Sequence, residues 1–169
     1  GASPVEILSR DTIDALSAST VADITANLSI NSGSENNVDS FTSGATQGTG
    51  NVNLRGLGLT STLVLLDGKR HTLAGIAAND GSVFVNTNII PVNAIERVEV
   101  LKEGAASVYG SDAVAGVVNY IFRRDFEGIE VDVSSQEADL GGQTDDKVSV
   151  IFGTPIGNGN LVVAVSSLD

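Results

Sequence analysis

The chain offers few residues that could do covalent chemistry. Among 169 residues there is one histidine, His71, and no cysteine, which removes thiolate nucleophiles, disulfides and sulfur-ligated metals together. A lone imidazole without a second histidine nearby is a poor metal or catalytic centre. Four carboxylates, Glu137, Asp139, Asp145 and Asp146, lie close together in the sequence, but they lack the spacing of a calcium loop and read as a solvated acidic loop. Gly48-Thr49-Gly50 and Gly56-Leu57-Gly58 invite comparison with phosphate-binding loops. Neither continues into G-x-G-x-x-G or into a Lys-Ser/Thr pair opening a helix. The residue types therefore imply no nucleophile and base pair, no resident metal and no cofactor, and an enzyme is not the expected reading.

Charge narrows the partners. The formal net charge is −12, and it is uneven: residues 1–124 hold 8 basic and 12 acidic side chains, whereas 125–169 hold 1 and 9. Such a chain repels phosphate backbones, which argues against nucleic acid. With 41% apolar residues the chain can build a core, yet aromatic content is only 4%, so Val, Ile, Leu and Ala must fill it. No run of about 18 apolar residues is present, so any membrane contact must come from strands. The absence of Met and the opening Gly1-Ala2-Ser3-Pro4 lead us to expect a piece of a longer protein.

The elements that would position any site follow from patterning. Val5 to Leu8 reads as a strand, and Ser9 as the cap of a helix from Arg10 to about Leu16. Thr20 and Asp23 form a capping-box pair before Val21, Ile24 and Leu28, which share a helical face. Residues 31–51 are polar and rich in Gly, Ser, Asn and Thr, as expected of a long surface loop. "VNLRGLG" and "STLVLLDGKRH" read as two strands, the second turning at Asp67-Gly68. Loop residues 72–88 lead to a helical turn at Ile90-Pro91, then to "AIERVEVL", whose alternation sets Val98 and Val100 opposite Arg97 and Glu99. "GVVNYIF", 116–122, is the last strand of this unit. Beyond Arg124 the pattern changes to one-face-apolar antiparallel strands. Ile129, Val131 and Val133 alternate with Glu130, Asp132 and Ser134, and further strands are expected at Lys147–Phe152 and Leu161–Ser167.

Five segments in this order, "PVEILSRDTIDAL", "TVADITANL", "NVNLRGLG", "TLVLLDGKR" and "IPVNAIERVEVLKEGAASVYGSDAVAGVVNYIFRR", resemble the plug domain of TonB-dependent outer-membrane receptors. One departure is Glu103-Gly104, where many relatives carry Gly-Pro. The resemblance implies an α+β fold: a small mixed sheet with short helices over 1–124, followed over 125–169 by the first antiparallel strands of an incomplete transmembrane β-barrel. Plugged barrels have about 22 strands of about 9 to 11 residues each, far more than this chain holds. The implied function is gating of ligand uptake, powered through TonB, in the outer membrane of a Gram-negative bacterium. The family's TonB-contacting motif lies upstream of the plug and is not found here. The implied partners are TonB, the rest of the barrel and a small ligand: an oligosaccharide, a siderophore or another metal chelate. The wording of residues 110–128 leans slightly towards carbohydrate scavengers. Arg55 and Arg97 resemble the plug arginines that latch onto barrel glutamates, against a plainer reading as surface arginines. Gly104, Ala105, Ala106, Tyr109 and Gly110 are expected to form a compact packing turn between two sheet strands, with Gly104 and Gly110 supplying tight backbone geometry. Loops 33–50 and 74–88 are candidate ligand-facing apices, without individual contact residues.

Two further expectations follow. A free-standing soluble plug-like binding module is the alternative to a receptor fragment. Three strands without barrel neighbours are expected either to add to the plug sheet's edge or to pair between chains, giving oligomers.

Overall fold

A computed structural model describes residues 5–32, 46, 48–78, 80–137 and 144–168. Strand β1, Val5–Ser9, runs directly into helix α1, Arg10–Ala15. The Ser9 side chain accepts a hydrogen bond from the Thr12 amide, so one free N–H of the first turn is satisfied. Helix α2, Val21–Ala26, opens with a complete capping box: the Asp23 amide donates to the Thr20 hydroxyl, and the Thr20 amide donates to the Asp23 carboxylate at 2.7 Å. Val21, Ile24 and Leu28 are all buried, as their shared face requires.

Strands β2 (Thr62–Leu66), β3 (Lys69–Arg70), β4 (Ile95–Leu101) and β5 (Gly116–Phe122) join β1 in one sheet, ordered β1-β4-β5-β2-β3. β2 and β5 pair in parallel and the other pairs are antiparallel. β2 and β5 are covered on both faces, Val64 and Val118 in one cluster and Leu63, Leu65 and Val117 in another, which accounts for their nearly continuous apolar runs. Asp67 and Gly68 turn β2 into β3 with φ of 51° and 76°, the left-handed pair that a two-residue hairpin favours. One face of the sheet carries Val98, Val100, Val118 and Tyr120 against Ile13, Val21 and Ile24 of the helices. The other face carries Leu63, Leu65 and Val117 against Ala105 and Ala113.

Residues 52–58, expected as a strand, are not one. Only Leu54 makes a bridge, to Asn31. Arg55, Gly56 and Gly58 take φ of 59°, 65° and 99°, which a pleated strand cannot accommodate. Val52 and Leu54 are nevertheless buried, so the apolar spacing marked core residues without marking a ladder.

β6 (Gly128–Glu137), β7 (Thr144–Ile156) and β8 (Gly159–Leu168) form a separate antiparallel sheet, ordered β6-β7-β8. They do not add to the edge of the five-stranded sheet; their own ladder runs unbroken from Gly128 opposite Gly153 to Glu137 opposite Thr144. The strands are longer than expected. Glu137 lies in β6 and Asp145 and Asp146 in β7, so three of the four clustered acidic residues occupy strands rather than a loop; Asp139 lies outside the described residues. The faces are sorted by polarity. Ile129, Val131 and Val133 are 70%, 60% and 71% exposed, whereas Lys147, Ser149 and Ile151 are buried against the first unit. A sheet that buries Lys and Ser while exposing three apolar rows is inside out for water and correct for lipid.

Candidate functional site

The segment between β4 and β5 contains more than a turn. Gly104, at φ 73°, leads into helix α3, Ala106–Tyr109; Gly110, at φ 89°, leads into a 3₁₀ turn over Ser111–Ala113. Ala105 is 2% exposed and packs with Leu63, Leu65, Ala113 and Val117, with Leu101 and Tyr109 at the margin. Ala106 is exposed, so only the first alanine of the pair serves the chain's own core. Tyr109 is half-buried, and its carbonyl accepts a 2.8 Å hydrogen bond from Arg70. The same guanidinium bonds Asp112 at 2.6 Å, and this neighbour holds the Asp112 carboxyl below the usual carboxylate range.

Arg55 and Arg97 are not brought together. Arg55 donates to the Lys102 carbonyl at 2.7 Å and lies 3.8 Å from Glu103, beyond the end of β4. Arg97 lies near the start of β4, about 16 Å away along a strand at ~3.3 Å per residue, and bonds Glu99 at 2.8 Å. Glu99 in turn accepts from Asn119 on β5. Both arginines thus find carboxylates within the five-stranded unit, at half-exposed positions where an ion pair contributes little.

The polar residues that bind the two sheets together are others. Asp67 does more than turn β2 into β3: its carboxylate accepts from the Phe122 amide at 3.1 Å and pairs with Arg124 at 3.0 Å, fixing the start of the connection between the sheets. Arg123 forms two 3.0 Å hydrogen bonds to Glu130 on β6 and stacks 4.3 Å from the ring centre of Phe126. The Asn160 amide donates to the carbonyls of Arg124 and Phe126. Deeper in the seam, Lys147 donates to the Ala18 carbonyl at 3.0 Å. Beside it lies a cavity of about 300 Å³, bounded by Arg10, Asp14 and Asn93 on one side and by Glu130, Asp132 and Lys147 on the other. Arg10 bonds the carbonyls of Val92 and Ile95 as well as Asp14, and its hydrogen bond keeps the Asp14 carboxyl below the ordinary range. The sequence signal for this seam is the alternation of Glu130, Asp132 and Ser134 on β6; their partners become visible only once the strands are in register.

The candidate apex at 74–88 packs through Ala78 and Phe84 on Leu59, in the 3₁₀ turn before β2. His71 bonds the neighbouring Thr72 carbonyl, and among the described residues no cluster of His, Asp and Glu is arranged to hold a metal. Most of the loop at 33–50 lies outside the described residues. Among the described residues no helix is long and apolar enough to cross a membrane, a statement that does not bear on strands.

Comparisons with known proteins agree with this architecture. The family model described as TonB-dependent Receptor Plug Domain matches residues 1–117. The iron-regulated outer membrane virulence protein of Vibrio cholerae serotype O1 is 42% identical over 78 residues, which is 46% of this chain and 12% of that protein. The unliganded ferric citrate transporter FecA superimposes with a TM-score of 0.74 at 22% identity, over 99% of this chain and 26% of that one. The siderophore receptor PirA from Acinetobacter baumannii does so with 0.67 at 24%, over 97% and 24%. The ferric enterobactin receptor PfeA, in complex with BCV-L6, gives 0.65 at 21%, over 100% and 25%. The chain thus spans about a quarter of the solved receptors it matches. In those receptors as here, a mixed sheet with short helices is followed by antiparallel strands. With the family model covering more than two thirds of its residues, this chain belongs to the TonB-dependent receptor plug domain family.

Proposed function

We propose that the chain is the gate, and the beginning of the wall, of an outer-membrane receptor that imports a small ligand with energy delivered through TonB. The carrying observation is the polarity of the second sheet, which turns Ile129, Val131, Val133, Val150, Val163 and Val165 outward and packs Lys147 and Ser149, with Ile151, onto the plug. That arrangement suits a strand wall with lipid on one side and a plug on the other. The connection at 123–127 is the boundary between plug and wall, and the location is the outer membrane of a Gram-negative cell. No bond of the ligand is broken, so the protein is not an enzyme. Arg55 and Arg97, with carboxylates of their own, would exchange them for wall glutamates if they act as a latch. The outer edges of β6 and β8 are unpaired among the described residues, and self-association of the isolated chain through them belongs to the same reading.

A ferric chelate is favoured over an oligosaccharide, because the 42%-identical relative is named for its iron regulation. The test is uptake by outer-membrane receptor-deficient cells expressing the intact protein, with and without TonB, offered radiolabelled ferric siderophores or labelled oligosaccharides. TonB-dependent accumulation of a ferric siderophore is expected. Accumulation indifferent to TonB would overturn the gating role, and TonB-dependent uptake of oligosaccharide alone would overturn the ligand class.

A further inference from the structure

We propose that Lys147 is the residue by which the wall holds the α1–α2 corner of the plug, an attachment that runs from a wall cation to plug backbone and stands beside the Arg123–Glu130 pair at the connection. The inference rests on reading β6–β8 as wall. Lys147 is the one basic residue after Arg124. Its side chain passes inward, is 6% exposed overall, and donates to the carbonyl of Ala18, itself 8% exposed. An ammonium withdrawn from water needs a charge or dipole partner. Register supplies one on its own sheet: Ser134 lies opposite Lys147 and Asp132 opposite Ser149, which sets Asp132 diagonal to Lys147 on the same face. The other cations facing this seam are already engaged, Arg10 by Asp14 and two carbonyls and Arg123 by Glu130. Arg55 and Arg97 pair within the plug.

The attachment is placed for release. It borders the 300 Å³ cavity, which is also lined by Asn93. Asn93 is 6% exposed, and neither its amide nitrogen nor its amide oxygen has a hydrogen-bond partner. The Asn93 amide oxygen can accept from a shifting ammonium, and its amide nitrogen can donate to a water in the cavity, so the bond to Ala18 can break without stranding the charge. Motion at this corner then begins at Ala18 and leaves the sheet beneath it intact.

The sequence lacks cysteine, so a single introduced thiol reports without background. In the full chain in detergent micelles, maleimide labelling of Ala18→Cys is compared with and without Lys147→Met and Lys147→Arg; Val118→Cys, in the middle of the plug sheet, serves as the control. Lys147→Met is expected to speed labelling at position 18 about tenfold, the effect of losing about 1.4 kcal/mol of closure, whereas Lys147→Arg stays within about twofold of the parent and position 118 remains closed. Unchanged labelling in Lys147→Met overturns the proposal. So does equal acceleration by Met and Arg, which would make the role one of packing, or opening of position 118 alongside position 18, which would make it global. The measurement needs neither ligand nor TonB, so a failed uptake experiment and a failed labelling experiment are separate results.

Discussion

Arg123 and Glu130 face each other through two parallel hydrogen bonds of 3.0 Å, one partner just past the last plug strand and the other on the first wall strand. Paired hydrogen bonds of this kind constrain orientation as well as distance, and Phe126 closes over the same guanidinium. Arg123→Ala should therefore weaken the seam by about 1 kcal/mol, since the Glu130 side is half-exposed and screened. Arg123→Lys should recover less than half of that, because an ammonium keeps the charge but not the fork. A double-mutant cycle with Glu130→Gln, read by urea unfolding in micelles, checks both; full rescue by lysine would show that charge alone matters.

Gly153, in β7, packs against the backbone of Phe126 in the connection between β5 and β6. A Cβ at this position would collide with the carbonyl oxygen of Phe126, and backbone cannot step aside as a flexible side chain can. Gly153→Ala is expected to cost about 2 to 3 kcal/mol of stability. Gly75→Ala, into open space, should be neutral within about 0.5 kcal/mol. Comparing the two midpoints in one denaturant series is decisive.

The two alanines of the β4–β5 segment should separate. Ala105→Leu forces volume among Leu63, Leu65 and Val117 and should destabilise the plug by about 1 to 3 kcal/mol. Ala106→Leu points outward and should leave the unfolding midpoint of this chain unchanged. If Ala106→Leu nevertheless impairs import by the intact protein, the exposed alanine serves seating against the wall rather than folding.

Acid should loosen the α1 corner in a definable way. The Asp14 carboxyl is held below its ordinary value mainly by its hydrogen bond to Arg10, so the folded state binds that proton more weakly than the unfolded state does. The contribution is present above the unfolded value of about 3.9 and is lost as pH falls through the depressed folded value. Asp14→Asn should flatten the stability profile below about pH 4 while leaving its slope near neutrality unchanged. Chemical denaturation across that range is the check.

Tyr120 is fully buried in the main core, and its hydroxyl has no hydrogen-bond partner. Burial pushes the phenol far above its usual value, so it is uncharged throughout the physiological range. Removing an unsatisfied buried hydroxyl relieves its desolvation cost. Tyr120→Phe is expected to raise stability by up to about 1 kcal/mol, measured by the shift in thermal midpoint.

What could be read from the sequence was local. Ser9 before Arg10, Thr20 three residues before Asp23 and the Asp67-Gly68 dipeptide each state their geometry within a few residues, and each takes that geometry here. The alternation from Ile129 onward exposed the polarity of the wall for the same reason. Residues 52–58 misled because apolar spacing reports burial, whereas backbone sign at Arg55 does not show in a side chain that has no special need for it. The seam was hidden differently. Arg123 and Glu130 are seven apart, Lys147 and Ala18 are 129 apart, and such partners emerge only when two sheets have been stacked. The second role of Asp67 was masked by the sufficiency of its first.

The most direct test is which face of β6 meets lipid. Single nitroxides at Val131 and at Asp132, in the intact protein assembled in outer-membrane vesicles, sample adjacent residues on opposite faces of one strand. High collision with dissolved oxygen and low collision with a water-soluble nickel chelate at position 131, together with clearly lower oxygen collision at position 132 on the opposite face, is the predicted result. A label at 131 that meets water as freely as one at an exposed loop, or equal lipid contact at both positions, would contradict the assignment of these strands to the wall around a plug.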